Sequence, residues 1–357
     1  MKKPHLLLTW SFLLATLWAA AQSTVTGKIT DMETGLPLEG ASVFAQNTTR
    51  GAITDKEGFY RLRLEKGGYE LIVSFTGYES RTINFEAVTD REFNLALQKA
   101  DNSMSEIVIR SSNEVLDGWE KYGQFFIDHF IGTTTNADSC TLLNPQALKF
   151  FYYKRSDRLK VLATEPLQIQ NRALGYNIRY ELDSFVYHYP TKLNSYKGNC
   201  LFTAMEGSYD QMDRWDEARR EAYAGSRLHF LRAYYDSALQ KEGFTVDVLS
   251  TRSARKFDRL INPYDSLYYF FDDSTGNAEL WFPVKASITY VKKAPEPKYL
   301  TYAGLPADVP MQISYIDLKD GIIIMRNGYF TDQKSWVNQG YWSWKNLADA
   351  LPYDYVQ

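Results

Sequence analysis

The sequence predicts a mainly β, α+β protein. Its first part reads as a seven-stranded antiparallel β-sandwich. Its second part reads as an α+β domain with a large antiparallel sheet and at least two helices. Three observations carry this prediction. Short apolar–polar alternations recur between Ser23 and Lys99 at intervals of roughly 8–12 residues, each bounded by Gly, Pro or Asp. After Asp117 the apolar spacing lengthens to that of a helix, and strand-like alternation then resumes. Aromatic residues make up 15% of the chain, and Tyr and Phe suit pleated surfaces.

Residues 1–21 carry an address rather than a fold. Lys2 and Lys3 precede an apolar run from Leu6 to Trp18, and Ala19-Ala20-Ala21 supplies small residues before Gln22. Charged start, apolar middle and small-residue end predict a cleaved signal peptide. The run is short for a membrane span, and no charged stop-transfer segment follows. No Cys stands at the cleavage point, so lipid anchoring through it is not expected. No later stretch is long and apolar enough for a transmembrane helix. The expected location is therefore exported: periplasmic or associated with the outer membrane.

The remaining length suits about two domains. The formal charge of −3 falls to about −5 when Lys2 and Lys3 are removed. Charges of both signs are interspersed, which excludes the basic footprint of a nucleic-acid-binding surface.

Residues 22–99 form the first domain. Val25 to Thr30 alternates as a half-buried strand does. A turn with Gly35, Pro37 and Gly40 leads to the strand beginning at Ala41. Thr54-Asp55-Lys56-Glu57-Gly58 turns into Phe59-Tyr60-Arg61-Leu62, and Gly67-Gly68 into Tyr69 to Phe75. Gly77 interrupts the chain before Arg81–Phe85 and Glu92–Leu97 close the set. Gly35, Gly40, Gly58 and Gly77 stand where a chain reverses, Pro37 restricts one turn, and Asp55 can accept from its own turn backbone. Asp31, Glu33, Asp55 and Glu57 lack the dense, regular oxygen spacing of a calcium loop, so no metal site is predicted.

Several motifs in this segment fall in one order: Val25-Thr26-Gly27-Lys28-Ile29, Thr34-Gly35-x-Pro37-Leu38-x-Gly40-Ala41-Ser42-Val43, Thr54-Asp55-x-x-Gly58, and Ser74-Phe75-x-Gly77-Tyr78. Together they resemble the carboxypeptidase regulatory-like domain, over about the first quarter of the chain. The resemblance implies a transthyretin-like β-sandwich without peptidase chemistry of its own. It also implies a Bacteroidetes-type exported setting, where such domains stand at the N-termini of TonB-dependent outer-membrane receptors.

Residues 100–116 read as a linker containing one short strand, Ser105–Arg110. Residues 117–357 form the second domain. Trp119, Tyr122, Phe126 and Phe130 mark one helix face, ended by Gly132. Strands follow over Leu148–Tyr153, Leu159–Thr164, Tyr176–Leu182, Phe185–Tyr189 and Leu201–Met205. In the third of these, Asn177, Arg179 and Glu181 alternate with apolar residues, which predicts a solvated sheet face. Asp213 to about Lys241 reads as one long helix, kinked at Gly225-Ser226. Its arginines, Arg219, Arg220, Arg227 and Arg232, are candidates for an anion patch, but such residues more often lie on a salt-bridged face. Ile313–Leu318 and Ile322–Arg326 flank Asp320-Gly321 and predict a hairpin. The motifs Trp119-Glu120-Lys121-Tyr122-Gly123, Asn171-Arg172-Ala173-Leu174-Gly175-Tyr176 and Ala222-Tyr223-x-Gly225-Ser226-x-x-His229-Phe230 resemble C-terminal regions beside the regulatory-like module in Bacteroidetes proteins. That resemblance implies no activity.

Cys140 and Cys200 have two readings that the sequence leaves open. An exported chain can join them, and a loop of that length would stabilise the fold by about 4 kcal/mol. Two separate buried thiols is the other reading.

Catalytic signatures are missing from the sequence. The residues three places after His129, His188 and His229 are Gly132, Thr191 and Arg232, so no His-x-x-Glu zinc motif occurs. Gly-x-Ser-x-Gly, a phosphate-binding glycine loop and Cys-x-x-Cys are also missing. Ser226 and His229 are one helical turn apart, unlike a hydrolase triad. No catalytic, cofactor-binding or metal-binding residue is predicted, and no cofactor. The expected function is a non-catalytic interaction or scaffold role in the cell envelope, with an envelope protein or glycan as partner. Two alternatives stand beside it. One is a carbohydrate- or peptide-binding component of an outer-membrane uptake system, motivated by aromatic content. The other is a hydrolase with dispersed carboxylates, of which Asp272-Asp273 is the obvious doublet.

Overall fold

The computed structural model describes residues 22–100, 113–250 and 256–357. The leader read over residues 1–21 and the linker strand Ser105–Arg110 lie outside the described residues.

The sandwich has eight strands: β1 (Ser23–Asp31), β2 (Ser42–Ala45), β3 (Gly51–Ile53), β4 (Phe59–Leu64), β5 (Gly68–Ser74), β6 (Arg81–Glu86), β7 (Arg91–Glu92) and β8 (Leu95–Leu97). One sheet runs β4-β1-β7 with β8 also on β1, and the other runs β3-β2-β5-β6. The sandwich is not antiparallel throughout: β1 lies parallel to β7 and to β8. This follows from closing the sheet with the last strands of the domain alongside its first. The two sheets enclose Val25, Ile29, Val43, Leu62, Leu71 and Val73, all at most 3% exposed.

The second region opens with α1 (Gly118–Phe130) and continues through β9 (Cys140–Leu142), β10 (Leu148–Tyr153), β11 (Arg158–Ala163), β12 (Leu167–Asn171), β13 (Tyr176–His188) and β14 (Leu193–Ala204). These strands make a six-stranded sheet in the order β10-β11-β13-β12-β9, with β14 on β13. The two strands expected over 176–189 are a single strand, β13, carrying a bulge between Leu182 and Ser184. α1 lies on this sheet. Phe126 and Phe130 are fully buried and meet Phe185 and Tyr180 edge-on, at 5.2 and 5.0 Å between ring centres.

Helices α2 (Tyr209–Tyr223), α3 (Arg227–Tyr235) and α4 (Leu239–Glu242) follow. The single long helix read over Asp213–Lys241 is therefore corrected to three. α2 begins earlier than the apolar stripe suggested, because Ser208 and Gln211 form a reciprocal capping box. The chain then breaks at Gly225, where φ is +79°. Ser226 caps α3 by accepting the His229 amide. Tertiary contact favours the break: the Trp342 indole N–H donates to the Gly225 carbonyl (2.7 Å), which a continuous helix would engage internally.

The chain ends with β15 (Phe244–Leu249), β16 (Phe257–Arg259), β17 (Tyr269–Asp272), β18 (Asn277–Leu280), β19 (Ala286–Tyr290), α5 (Pro297–Ala303), β20 (Gln312–Leu318), β21 (Ile322–Ile324), β22 (Trp336–Gly340) and α6 (Tyr341–Trp344). They form a five-stranded sheet, β16-β15-β19-β20-β22, and a three-stranded one, β17-β18-β21. The hairpin expected around Asp320-Gly321 does not form. β20 pairs with β19 and β22, whereas β21 pairs with β18 in the other sheet. Leu318 and Ile322 enter one core from different sheets, so burial overrides the local turn signal. The second region thus holds the expected large antiparallel sheet, of six strands, over one core, and two further sheets, of five and three strands, that share another. Leu347 and Ala348 of the C-terminal segment pack into the first of these cores.

Candidate functional site

The richest concentration of long-range polar contacts lies between the sandwich and the six-stranded sheet. After β2, Gln46, Asn47 and Thr48 leave the sandwich and lie along the open edge of β14. The Gln46 side chain acts as a length of backbone there. Its Nε2 donates to the Gly198 carbonyl (3.0 Å), and its Oε1 accepts from the Cys200 amide (2.7 Å). The main chain then continues the pairing: Asn47 N–H donates to Cys200 O (2.8 Å), and Phe202 N–H to Thr48 O (2.9 Å). The sandwich loop is an added strand, parallel to β14 at Thr48 and Leu201. Asn47 reaches this geometry at φ +55°, which Asn tolerates better than most residues.

A second contact uses the polar face of β13. Arg179 donates to the Ser42 hydroxyl (2.9 Å) and pairs with Glu181 (2.9 Å), while the Ser74 hydroxyl donates to Glu181 (2.8 Å). Ser42 and Ser74 are cross-strand neighbours on β2 and β5. The face expected to meet solvent is, at Arg179 and Glu181, the face on which the sandwich sits.

A third contact is the turn after β21. Asn327 donates to Gly68 O (3.0 Å), and the Tyr329 hydroxyl donates to Glu70 (3.1 Å). Gly68 permits the approach, since a Cβ there would fall 1.7 Å from Met325 Sδ.

The C-terminal tail closes the junction. Tyr353 N–H donates to Asn47 O (2.7 Å), and the Asp354 carboxylate accepts from the Thr49 amide (2.9 Å) and pairs with Arg50 (3.1 Å). Arg232 on α3 holds the tail in turn, donating to the carbonyls of Asn327 (3.1 Å), Tyr355 (2.9 Å) and Tyr353 (2.9 Å).

Two other groups of ionisable side chains lie in the second region. Lys345 pairs with Glu296 and with Asp349 (3.0 Å), above the rings of Tyr341 and Trp344. Burial pulls its ammonium down, but Asp349, Tyr341 and Glu296 together outweigh that and hold it above the ordinary lysine range. A lysine held in its charged form is neither a base nor a nucleophile.

His229 is 6% exposed, stacked on Tyr223 at 4.7 Å and edged by Phe244 and Tyr290. Gly225 N–H donates to Nδ1 (3.1 Å), which assigns the proton to Nε2, 3.3 Å from Glu242. Burial pushes its pKa below the ordinary value of 6.5, against the opposing pull of Glu242. Below 6.5 the unfolded chain takes up a proton that folded His229 resists, so stability is complete above that pH and falls as pH drops through the window beneath it. Urea unfolding at pH 7.5 and pH 5.5 should show this loss, and His229→Gln should flatten it. An equal loss in both proteins would remove His229 as its source.

The residues singled out in the sequence do not converge. Gly35, Gly40, Gly58 and Gly77 all adopt positive φ, between +69° and +83°. Pro37 bridges to Thr30, and the Asp55 carboxylate accepts from the Glu57 (3.1 Å) and Phe59 (2.8 Å) amides. Asp31 is engaged with Tyr78 and with the Glu33 and Thr34 amides. Cys140 and Cys200 are free thiols. They stand on β9 and β14 with β12 and β13 between, so three strand steps of ~4.8 Å exceed the reach of a disulfide. Burial raises both, Cys140 to about 12. The arginines of α2 and α3 do not converge on an anion site: Arg219 donates to Leu174 O (2.8 Å), Arg220 pairs with Glu217 on the exposed face of its own helix (2.5 Å), and Arg232 clamps the tail. Asp272 accepts from the Ser274 and Thr275 hydroxyls of its own turn. His129, His188 and His229 lie on α1, β13 and α3, and among the described residues no three metal-ligating side chains cluster. The junction residues Gln46, Asn47, Thr48 and Arg179 were missed. The only signal was a polar run directly after a buried strand, which reads as an ordinary loop.

Residues 25–109 match the family model of the CarboxypepD_reg-like domain. This segment is a CarboxypepD_reg-like domain. It is similar to TonB-dependent receptor P39 of Formosa agariphila, 34% identical over 25% of this chain and 8% of that one. It is likewise similar to TonB-dependent receptor SusC of Bacteroides thetaiotaomicron, 33% identical over 27% of this chain and 9% of that one. The match therefore spans only 8% and 9% of the length of these curated relatives. Among solved structures, a cohesin–X-dockerin complex from Acetivibrio cellulolyticus is 25% identical over 22% of this chain and 59% of that one, with a TM-score of 0.20. Catechol 1,2-dioxygenase from Acinetobacter sp. ADP1 is 16% identical over 25% of this chain and 56% of that one, with a TM-score of 0.21. TM-scores this low bear on neither the fold nor the function of this chain. No helix among the described residues is long and apolar enough to cross a membrane.

Proposed function

We propose that this is an exported, non-catalytic protein of the cell envelope that binds or holds another envelope component in the setting of an outer-membrane uptake system. The observation that carries the reading is the junction. A module shared with TonB-dependent receptors is joined here by strand addition, an Arg–Glu–Ser network and a clamped tail to a second folded region. That makes one body able to place a second binding region at a set position beside the module. The buried Asp349 carboxylate is paired with Lys345, which Glu296 also holds, and this supports a structural rather than catalytic use of that group. The test is recovery of tagged full-length protein from gently solubilised envelopes. Co-recovery of outer-membrane uptake proteins supports the reading, and protein that returns alone after cross-linking overturns it.

A second reading has its own observation. A shallow depression is lined by Thr133, Pro297, Lys298, Thr301 and Tyr302, and Tyr302 is 73% exposed beside it. An exposed ring next to hydroxyl and ammonium groups suits a sugar or peptide side chain. A glycan and peptide panel should then give a thermal shift that Tyr302→Ala abolishes. No shift at millimolar ligand removes this reading.

A further inference from the structure

The sandwich covers only part of the β14 edge. Its pairing runs from Gly198 to Phe202 and stops at the Gln46 side chain. The strand itself continues backwards through Lys197, Tyr196, Ser195, Asn194 and Leu193. Among the described strands β14 pairs with β13 alone, and beyond the Gln46–Thr48 contact its other side is a sheet edge. The backbone groups of Gly198 and Cys200 point outward to Gln46 and Asn47. By strand alternation those of Asn194 and Tyr196 point the same way. No backbone partner for them occurs among the described residues. Leu193 is 66% exposed, whereas the Tyr196 ring packs on Phe130 at 5.1 Å and Asn194 Nδ2 donates to His129 O (2.8 Å), so two side chains of the stretch are engaged while its backbone edge is bare. A bare backbone edge is a template for another strand.

We infer that this edge pairs with the same edge of a second copy of the chain, antiparallel and two-fold symmetric about Ser195. The pairing interface is already established on this strand, and the bare stretch is its direct continuation. Its length is self-complementary. Centring on Ser195 sets Leu193 opposite Lys197 and Asn194 opposite Tyr196, which uses all five bare residues. At one end Gln46 stops the partner. At the other the chain turns away at Lys192, where φ is +55°. No like charges meet, because each Lys197 faces a leucine and is already paired with Asp183 at 3.1 Å. Asn194 and Tyr196 then exchange backbone hydrogen bonds across the axis. The two Ser195 residues form the close, non-hydrogen-bonded pair, with Cα atoms about 4.5 Å apart.

That spacing fits a disulfide. Full-length Ser195→Cys should give a covalent dimer on mild oxidation. Thr191→Cys, which the register places well off the axis, should not, and neither should the parent chain with its own two cysteines. Sedimentation of the parent chain should show a concentration-dependent dimer. Leu193→Lys places a lysine opposite Lys197 of the second copy at both symmetric positions, and should weaken that dimer roughly tenfold. Leu193 is exposed, so its fold should persist. A parent chain that stays monomeric, or equal cross-linking through positions 191 and 195, overturns the inference.

Discussion

Arg232→Ala will release the C-terminal tail and lower stability by about 2–3 kcal/mol, as loss of charge-assisted hydrogen bonds from a half-buried site does. One guanidinium satisfies three carbonyls, those of Asn327, Tyr353 and Tyr355, and lies over the Tyr223 ring at 5.6 Å. Removing it leaves these acceptors without their donor in a half-buried site. The tail then loses its hold on α3 while still bonded to Asn47 and Thr49 of the sandwich. Hydrogen exchange should therefore rise at Tyr353 and Tyr355 and next at Asn47, before the cores of either sheet respond. Arg232→Lys should recover a minor share, since an ammonium cannot address three carbonyls in the geometry of a planar fork. Unchanged exchange at Asn47 would mean that the tail does not bind the two parts together.

Gly27→Ala will cost the sandwich about 3 kcal/mol or more, at the upper end for overpacking. A Cβ at position 27 would lie 1.9 Å from the Phe93 carbonyl oxygen and 2.6 Å from its carbon. The obstruction is backbone, so no rotamer change relieves it. Nor can Phe93 withdraw. Its amide donates to Thr26 O (2.8 Å), and β7 and β8 hold β1 on either side of it. Gly35→Ala is the matched comparison. Its φ is +69°, but nothing lies within 4 Å of an added Cβ. It should therefore lose only the left-handed penalty of about 1–2 kcal/mol. Thermal unfolding by circular dichroism separates the two, and equal losses would mean that the close approach at Phe93 is relaxed in solution.

The sandwich was legible because its instructions are local. Gly58 must turn at positive φ within five residues of the Asp55 that braces the turn, and Phe59, Arg61 and Arg63 alternate with Tyr60, Leu62 and Leu64 on one strand. The α1 stripe was legible for the same reason, down to the burial of Phe126 and Phe130. Readings failed where two parts distant in sequence compete for one segment. The helix broke at Gly225 because Trp342, 117 residues away, takes its carbonyl. The hairpin at Asp320-Gly321 was lost because β18 and β22 offered its strands better partners. Cys140 and Cys200 were candidates by type and compartment, yet strand order decides their separation.

The junction was the least legible part. Gln46 reaches residues 152 and 154 positions away, and it binds backbone groups that every residue of a strand possesses. Nothing in the side chains of Gly198 or Cys200 marks them as its partners. The amino-acid sequence by itself determined the turns, the strand and helix periods and the regulatory-like module, because each depends on residues a few positions apart. Only the tertiary structure decided which sheet edge the module covers, which part of that edge stays bare, and that a polar strand face carries the sandwich instead of water. Those outcomes depend on backbone hydrogen bonds and on burial between distant segments, and neither is written in the identity of any single residue.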